Sequence, residues 1–312
     1  MIRVLSFGIS KSDASGGVTL FDTDVPRKPP LRNVASPAQL KKLTSVLQRA
    51  STVPLFIVVD QEGGKVNRLK PQLGFPETPS QQYLGSLDDL EITRKHAETA
   101  AATLRHAGIN MNLAPVVDLN RNPENPIIGK RERRFSANPG IVVKHASAVI
   151  AAAHDQGVLC AIKHFPGHGS SASNSHEGLV DGTDAWSPIE SEPFSAIIPS
   201  GECDAVMTAH LFNRNLDVAW PATLSAPTIT GILRRKLGFD GVVLSDDLQM
   251  KAIRSFYGLE TIIQRAILAG VDILLFANNS VFEEDIETRA TATIKKLVQE
   301  GPSRGSGFKN PI

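Results

Sequence analysis

Cysteine is scarce in this chain, with Cys160 and Cys203 the only two among 312 residues. Two cysteines are too few for a disulfide framework or a zinc cluster. Each lies in an apolar, strand-like run, and free cysteine is often a core residue. We therefore expect two buried thiols that take no part in catalysis.

An excess of charge is also missing. The chain has 33 lysine and arginine residues against 32 aspartate and glutamate residues, a formal net charge of +1. A dedicated binder of nucleic acid or of an anionic membrane would carry a basic excess, so neither partner is expected. The sequence predicts a small-molecule ligand, and we expect a monomer.

Long apolar stretches are absent as well. No apolar run approaches the roughly 18 residues of a membrane span. Residues 1–17 lack the basic start, apolar stretch and small-residue cleavage site of a signal peptide. We expect a cytoplasmic protein without a membrane span, or an exported form if an N-terminal segment is missing.

The chain does contain enough apolar material for a large core. It is 41% hydrophobic and 21% charged, near the averages of globular proteins, which excludes disorder. Its length suits two average domains or one (β/α)8 barrel with insertions. No composition break or linker divides it, so we predict one domain over residues 1–300 and a tail over 301–312.

Eight short apolar runs alternate with helical patterns. Continuous runs such as 55–59 indicate strands that are covered on both faces, as in a parallel sheet. The predicted strands are 2–7, 17–21, 54–60, 109–117, 159–164, 205–210, 241–246 and 271–277. The predicted helices are 37–51, 80–106, 139–156, 188–200, 226–237, 259–269 and 283–299.

Repeated βα units allow an open doubly wound sheet or a closed barrel, and eight strands favour a single (β/α)8 TIM-type barrel, shortened at its first unit. Polar residues at the ends of predicted strands agree, because a barrel builds its active site at the carboxyl ends of its strands. Any one of them could equally cap the next helix. These residues are Asp60, Asp118, His164, His210 and Asp246.

The richest candidate site is the stretch 163–169, Lys-His-Phe-Pro-Gly-His-Gly, which leads on to Asn-Ser-His at 174–176. Glycines, serines and three histidines are typical of a functional loop. His164 and His168 have a spacing that would suit a metal site on a helix, but the intervening Pro-Gly pair breaks a helix. A phosphate-binding loop is also disfavoured, because the required third glycine or Lys-Ser/Thr pair is missing.

Two further stretches place acids at strand ends. A predicted strand ends in Asp246 and Asp247, whose side chains should alternate in direction. We expect Asp246 to point into a site and Asp247 to cap the next turn. In the other stretch, Asp60 ends a strand and Arg68 follows a glycine turn, and an acid with an arginine suits a ligand with many hydroxyl groups.

Together these stretches carry a family resemblance, most specifically in Lys163–Gly169 followed by Ser175-His176. Other matching stretches are Asp60–Gly64, Asn112–Asp118, Arg133 before Phe135, and Ser245–Leu248. Over residues 16–299 the chain resembles the bacterial β-N-acetylhexosaminidases of glycoside hydrolase family 3, the NagZ-type single-barrel enzymes of cell-wall recycling.

The resemblance implies a retaining exo-β-N-acetylglucosaminidase that acts on muropeptides or chitooligosaccharides without a cofactor or metal. It implies that Asp246 is the nucleophile that forms a covalent glycosyl-enzyme and that His176 is the acid/base. An imidazole can fill that role because its ordinary pKa of about 6.5 lets it donate and accept a proton near neutrality. The residues implied to hold the sugar are Asp60, Arg68, Asp118, Arg133, Lys163 and His164.

The chain departs from the family pattern at Asn174, where the family usually has an aspartate beside the acid/base histidine. Asparagine can accept a hydrogen bond from the imidazole and orient it, but it brings no negative charge to stabilise the imidazolium. Two alternatives therefore stay open. One is an amino-sugar-binding barrel with weak or no catalysis, and the other is a family 3 β-glucosidase.

Overall fold

The computed structural model describes residues 3–6, 15–24, 31–172, 178, 180–279 and 281–300. The strands in these residues are β1 (Arg3–Ser6), β2 (Ser15–Leu20), β3 (Phe56–Val59), β4 (Gln61–Gly63), β5 (Val66–Asn67), β6 (Met111–Asn112), β7 (Leu159–Phe165), β8 (Val180–Asp181), β9 (Ala205–Thr208), β10 (Leu211–Phe212), β11 (Val242–Leu244) and β12 (Ile273–Phe276).

The α-helices are α1 (Pro37–Ala50), α2 (Gln81–Leu87), α3 (Leu90–His106), α4 (Pro139–Asp155), α5 (Glu192–Ile197), α6 (Lys251–Arg254), α7 (Leu259–Ala269) and α8 (Ile286–Glu300). A π-helix covers Pro227–Lys236, and short 3-10 turns cover Pro71–Leu73, Pro188–Ser191, Ile198–Ser200 and Ala222–Leu224.

Eight of these strands form one parallel sheet, in the order β1, β12, β11, β9, β7, β6, β3, β2. In addition, β1 pairs with β2. The predicted α/β fold with parallel strands is therefore confirmed, and each of the eight predicted strands overlaps one strand of this sheet. Two small sheets lie outside it, the antiparallel β4–β5 hairpin and the parallel pair β8–β10.

The core has two layers because successive residues of each strand face opposite sides of the sheet. In β3, Ile57 and Val59 pack with the helices in the larger cluster, whereas Val58 packs with Met111 and Met207 in a smaller inner cluster. Burial on both faces explains why the strands read as unbroken apolar runs.

Three predicted elements differ in detail from the structure. The helix predicted over 80–106 is divided, since Asp88 ends α2 with a left-handed backbone (φ 50°) and Asp89 caps α3 by accepting the N–H groups of Glu91 and Ile92. The segment predicted as helix over 226–237 is a π-helix, and 188–200 combines α5 with two 3-10 turns.

Cys160 is buried, as predicted, but Cys203 is only partly buried, so that expectation is wrong for the second thiol. Burial raises the pKa of both thiols, to about 12 for Cys203, so neither supplies a thiolate near neutral pH. No helix within the described residues is long and apolar enough to cross a membrane. The predicted tail, 301–312, lies outside the described residues.

Candidate active site

A cavity of about 320 Å³ opens where the parallel strands end. Apolar side chains from inside the sheet, among them Leu113, Met207 and Leu275, form part of its lining. Polar side chains from the strand ends form the rest, so the cavity combines an apolar surface with hydrogen-bonding groups. This combination is typical of small-molecule sites.

One wall of the cavity is a buried ion-pair network of Asp60, Glu62, Arg133 and Lys163, which we call the ion-pair wall. The Nζ of Lys163 lies 2.7 Å from Asp60 Oδ1 and 2.6 Å from Glu62 Oε1. Arg133 donates to both oxygens of Glu62, from Nε at 2.7 Å and from Nη2 at 2.8 Å. Two carboxylates and two cations therefore balance within the wall.

The charges of this wall fix the protonation of its acids. Burial acts to raise the pKa of Asp60, but Lys163 and Arg68 outweigh it and hold that pKa below its usual value. Burial likewise opposes the lowering of the Glu62 pKa, which Arg133 and Lys163 bring about. Both carboxylates are ionised near neutral pH and can accept hydrogen bonds from hydroxyl groups.

His164, at the end of β7, is held as one neutral tautomer. A guanidinium can only donate hydrogen bonds, so the contact of 3.0 Å from Arg133 Nη2 makes His164 Nε2 an acceptor. The proton is then on Nδ1, which donates to Asp118 Oδ2 at 2.7 Å. Burial, reinforced by Arg133 and Lys163, lowers the His164 pKa, in agreement with a neutral ring.

Asp118 supports this histidine from behind. Its side chain is fully buried and does not border the cavity. Its Oδ1 accepts the backbone N–H groups of His164 at 3.3 Å and of His168 at 2.7 Å. The geometry therefore indicates that Asp118 orients the loop after β7, and the direct sugar contact implied for it stays a prediction.

Arg68 borders the cavity from the β5 side. Its Nη2 lies 3.5 Å from Asp60 Oδ2, and its guanidinium lies 5.2 Å from the centre of the Phe21 ring. A quarter of its side chain is exposed, whereas Lys163 is almost fully buried. Arg68 is thus the more accessible of the two cations that contact Asp60.

Asp246 and Asp247, which we call the acidic end, follow β11, and both border the cavity. Asp247 donates its backbone N–H to Asp246 Oδ1 at 2.7 Å. The Oδ1 of Asp247 accepts the N–H of Gln249 at 3.1 Å, in the turn that Asp247 was predicted to cap, and the N–H of Ala277 at 3.0 Å, just after β12. We expected Asp246 alone to face the site, and this is wrong because both residues border the cavity. Asp246 is partly exposed and Asp247 is buried, so Asp246 is the more accessible carboxylate.

Burial raises the pKa of Asp247 to about 7, and the negative charge of Asp246 acts in the same direction. His210, the remaining residue predicted at a strand end, does not border the cavity. Its ring lies under the acidic end, with Nε2 2.9 Å from the carbonyl oxygen of Asp247.

The structure thus gathers most of the predicted site. Bordering one cavity are Asp60, Arg68, Arg133, Lys163, His164 and Asp246. Asp118 lies behind His164 and does not border the cavity. Asn174 and His176 lie outside the described residues. Within the described part of the chain, no group of three or more His, Cys, Asp or Glu is placed to hold a metal ion.

Glu62 and His168 are buried polar residues of the cavity lining that sequence reasoning did not assign to the site. Glu62 lies in a hairpin, where an acid usually reads as a surface residue, and its burial depends on partners about 70 and 100 positions away. His168 is 3% exposed, and within the described residues neither of its ring nitrogens has a hydrogen-bond partner. Burial lowers the His168 pKa, so the ring is neutral. The position of His168 in the motif at 163–169 was the sequence feature that could have indicated its place in the site.

The chain is similar in sequence to one family model and to several curated proteins of the same kind. The model of the glycosyl hydrolase family 3 N terminal domain matches residues 10–307. A beta-hexosaminidase of Xylella fastidiosa (strain M23) is 36% identical over 305 residues, covering 93% of this chain and 86% of that protein. Beta-hexosaminidase A of Pseudoalteromonas piscicida is 36% identical over 317 residues, but this chain covers only 50% of its length.

Solved structures agree in fold. A glycoside hydrolase family 3 beta-N-acetylglucosaminidase from Paenibacillus sp. str. FPU-7 superposes with a TM-score of 0.78 at 33% identity, covering 98% of this chain and 64% of that one. NagZ from Neisseria gonorrhoeae, solved with N-trifluoroacetyl-D-glucosamine, gives a TM-score of 0.74 at 30% identity, covering 96% and 79%. The chain therefore spans slightly less than two thirds of the Paenibacillus structure.

Proposed function

This chain belongs to glycoside hydrolase family 3 and is a glycoside hydrolase, and from that premise we propose that it is a retaining exo-β-N-acetylglucosaminidase. Its substrates would carry a terminal β-linked N-acetylglucosamine, as chitooligosaccharides and muropeptides do. The observation that carries this proposal is the meeting of the ion-pair wall and the acidic end in one cavity at the strand ends.

In the proposed first step, an oxygen of Asp246 attacks the anomeric carbon. The bond to the leaving oxygen breaks, and that oxygen takes a proton from His176. In the second step, His176 removes a proton from water, which attacks the anomeric carbon and releases Asp246. Two inversions return the sugar in its original β configuration.

The ion-pair wall and the adjacent Arg68 would bind the sugar's hydroxyl groups. Asp60 is ionised and accepts, while Arg68, Arg133 and Lys163 donate. Because acids and cations balance in the wall, an uncharged sugar meets no uncompensated charge there. His164 has its Nδ1–H bonded to Asp118, so it would orient its neighbours and leave proton transfer to His176.

We also propose that residues 1–300 form a single (β/α)8 domain. The pairing of β1 with β12 on one side and with β2 on the other supports closure of the sheet. The carboxyl ends of all eight strands would then face one opening, where such barrels place their active sites.

The first test is hydrolysis of 4-nitrophenyl N-acetyl-β-glucosaminide with and without EDTA. We expect release of nitrophenol in both, and proton NMR should show the β-anomer of the sugar appearing first. Folded protein without turnover, or first release of the α-anomer, would contradict the proposal. Faster hydrolysis of the matching β-glucoside would favour the β-glucosidase alternative.

A further inference from the structure

A second cavity, of about 880 Å³, lies beside the first across the β4–β5 hairpin. Glu62 and Val66 border the first cavity, whereas Asn67 borders the second, as expected for residues on opposite faces of a strand pair. Lys65, at the turn of the hairpin, borders both. We call the second cavity the hairpin groove, and its polar and aromatic lining includes Lys65, Asn67, Lys70, Glu77, Tyr83 and Glu132.

The ridge between the cavities is a weak barrier. It carries the ion pair of Lys65 Nζ with Glu132 Oε1, at 2.5 Å, and the side chains are 52% and 36% exposed. An exposed pair of this kind contributes little to stability, because water screens it and both side chains lose freedom. A ligand that extends from the first cavity can displace this pair with little loss of stability.

Asn67 supplies a hydrogen-bond acceptor without a partner. It is 5% exposed, and its Oδ1 has no hydrogen-bond partner within the described residues. A buried polar atom in this state destabilises the protein until a donor reaches it. Asn67 lines the hairpin groove, but its Oδ1 is enclosed by protein, so a hydroxyl or amide N–H of a bound ligand reaches it only after the side chain shifts.

Tyr83 supplies an aromatic surface in the same groove. It lies on α2 and is 52% exposed, a high value for a large aromatic side chain. Tyrosine combines an apolar ring with a polar hydroxyl and is favoured where one side of a contact is apolar and the other wet. A sugar ring has that character, with C–H faces and hydroxyl edges.

The charges of the groove favour a neutral ligand. Lys65 and Lys70 are balanced by Glu77 and Glu132 within the lining. Lys70 also forms an ion pair with Asp22. A ligand with several carboxylates or phosphates would meet as much repulsion as attraction, whereas a neutral, hydroxyl-rich ligand would not.

We propose that the hairpin groove binds the part of the substrate beyond the cleaved bond, and that this part is a neutral oligosaccharide of N-acetylglucosamine. The inference rests on the proposed function, because it takes the cleaved bond to lie in the first cavity. It selects chitooligosaccharides over glycans that carry carboxylates.

The test measures the affinities of chitotetraose and of N-acetylglucosamine by calorimetry. The full chain carries Asp246→Asn, so that the tetrasaccharide is not consumed. We expect chitotetraose to bind more tightly than the monosaccharide. Adding Tyr83→Ala should lower the ratio of the two affinities roughly fivefold, which corresponds to about 1 kcal/mol. Tyr83→Phe keeps the ring and should retain most of the ratio.

Phe256→Ala is the matched control, because Phe256 is an aromatic residue of 39% exposure that borders neither cavity. It should leave the ratio unchanged. Equal affinities for the two sugars, or an equal loss in both alanine variants, would overturn the proposal. So would equally tight binding of a tetrasaccharide of N-acetylglucosamine and glucuronic acid.

Failure of the proposed function is a separate result. If the wild-type chain releases no nitrophenol but the affinity ratio still depends on Tyr83, the groove is a saccharide site and the hydrolytic proposal is wrong. If hydrolysis is normal and the ratio is insensitive to Tyr83→Ala, only the groove proposal is overturned.

Discussion

The ion-pair wall contains Asp60 and the acidic end contains Asp247, and both residues follow a parallel strand. The surroundings of these two carboxyl groups shift their pKa values in opposite directions. Burial would raise the pKa of Asp60, yet Lys163 at 2.7 Å and Arg68 at 3.5 Å bring it below the ordinary value. Asp247 is held by two backbone N–H groups, and burial raises its pKa to about 7.

The protonation state of an aspartate at a strand end therefore depends on its burial and on the charges beside it. In the ion-pair wall, cations keep the acids ionised, which suits binding of hydroxyl groups. At the acidic end, a proton on Asp247 removes a like charge beside Asp246. The proposed nucleophile, Asp246, then has no second carboxylate charge beside it.

The largest effect is expected from Asp246→Asn. An amide cannot form the covalent ester with the anomeric carbon, so turnover of the nitrophenyl glycoside should fall by on the order of 10⁴-fold or more. Asp247→Asn keeps an oxygen that accepts the N–H groups of Gln249 and Ala277 and should retain measurable turnover. Equal losses in the two variants would erase the distinction between these neighbours.

Lys163→Met should cause the next largest change, in stability. The variant leaves the buried Glu62 and the partly buried Asp60 without a main cation, which costs about 3–5 kcal/mol in free energy of unfolding. Lys65→Met removes an exposed ion pair and should cost about 0–1 kcal/mol. Urea denaturation of both variants measures the difference, and equal costs would show that the ion-pair wall is not a buried network.

The raised pKa of Asp247 should make the free energy of unfolding depend on pH. The folded-state pKa of Asp247, about 7, lies above the unfolded value of about 4, so the folded state holds the proton more tightly. Asp247 therefore lowers the free energy of unfolding as pH rises from about 4 to 7. Asp247→Asn removes this slope and should gain about 3 kcal/mol relative to wild type across that range. Parallel pH profiles for the two proteins would contradict the raised pKa.

The smallest effect concerns proton transfer and rests on the sequence alone, since residues 173–177 lie outside the described residues. Asn174→Asp supplies the negative charge that stabilises an imidazolium at His176. Hydrolysis of chitobiose, whose leaving group needs a proton, should rise by about tenfold. The nitrophenyl substrate should change little because its leaving group is already good. No gain on chitobiose would show that Asn174 does not limit the rate.

Much of the fold was predictable because strands buried on both faces leave unbroken apolar runs, as at 55–59. The strands of the small sheets are two or three residues long and leave no such signal. The division of helix 80–106 at Asp88 and Asp89 depends on one left-handed residue and one cap, which a helical hydrophobic pattern does not contain.

The candidate site was predictable where a motif and a strand end coincide, as at Lys163 and Asp246. The positions of Asp118 and Glu62 in the site were not predictable in the same way. Each contacts its partner, His164 or Arg133, through a hydrogen bond or ion pair that joins residues distant in sequence. The monomeric state and cytoplasmic location stay predictions.

The central claim is that Asp246 forms a covalent bond to the sugar, and a mechanism-based fluoro sugar tests it most directly. The wild-type protein is incubated with a fluoro N-acetylglucosaminide that carries a good leaving group, then digested and mapped by mass spectrometry. We expect one added sugar on the peptide that contains Asp246 and Asp247, and fragmentation of that peptide should place the sugar on Asp246. A label on Asp247, or an active enzyme with no labelled carboxylate, would contradict it.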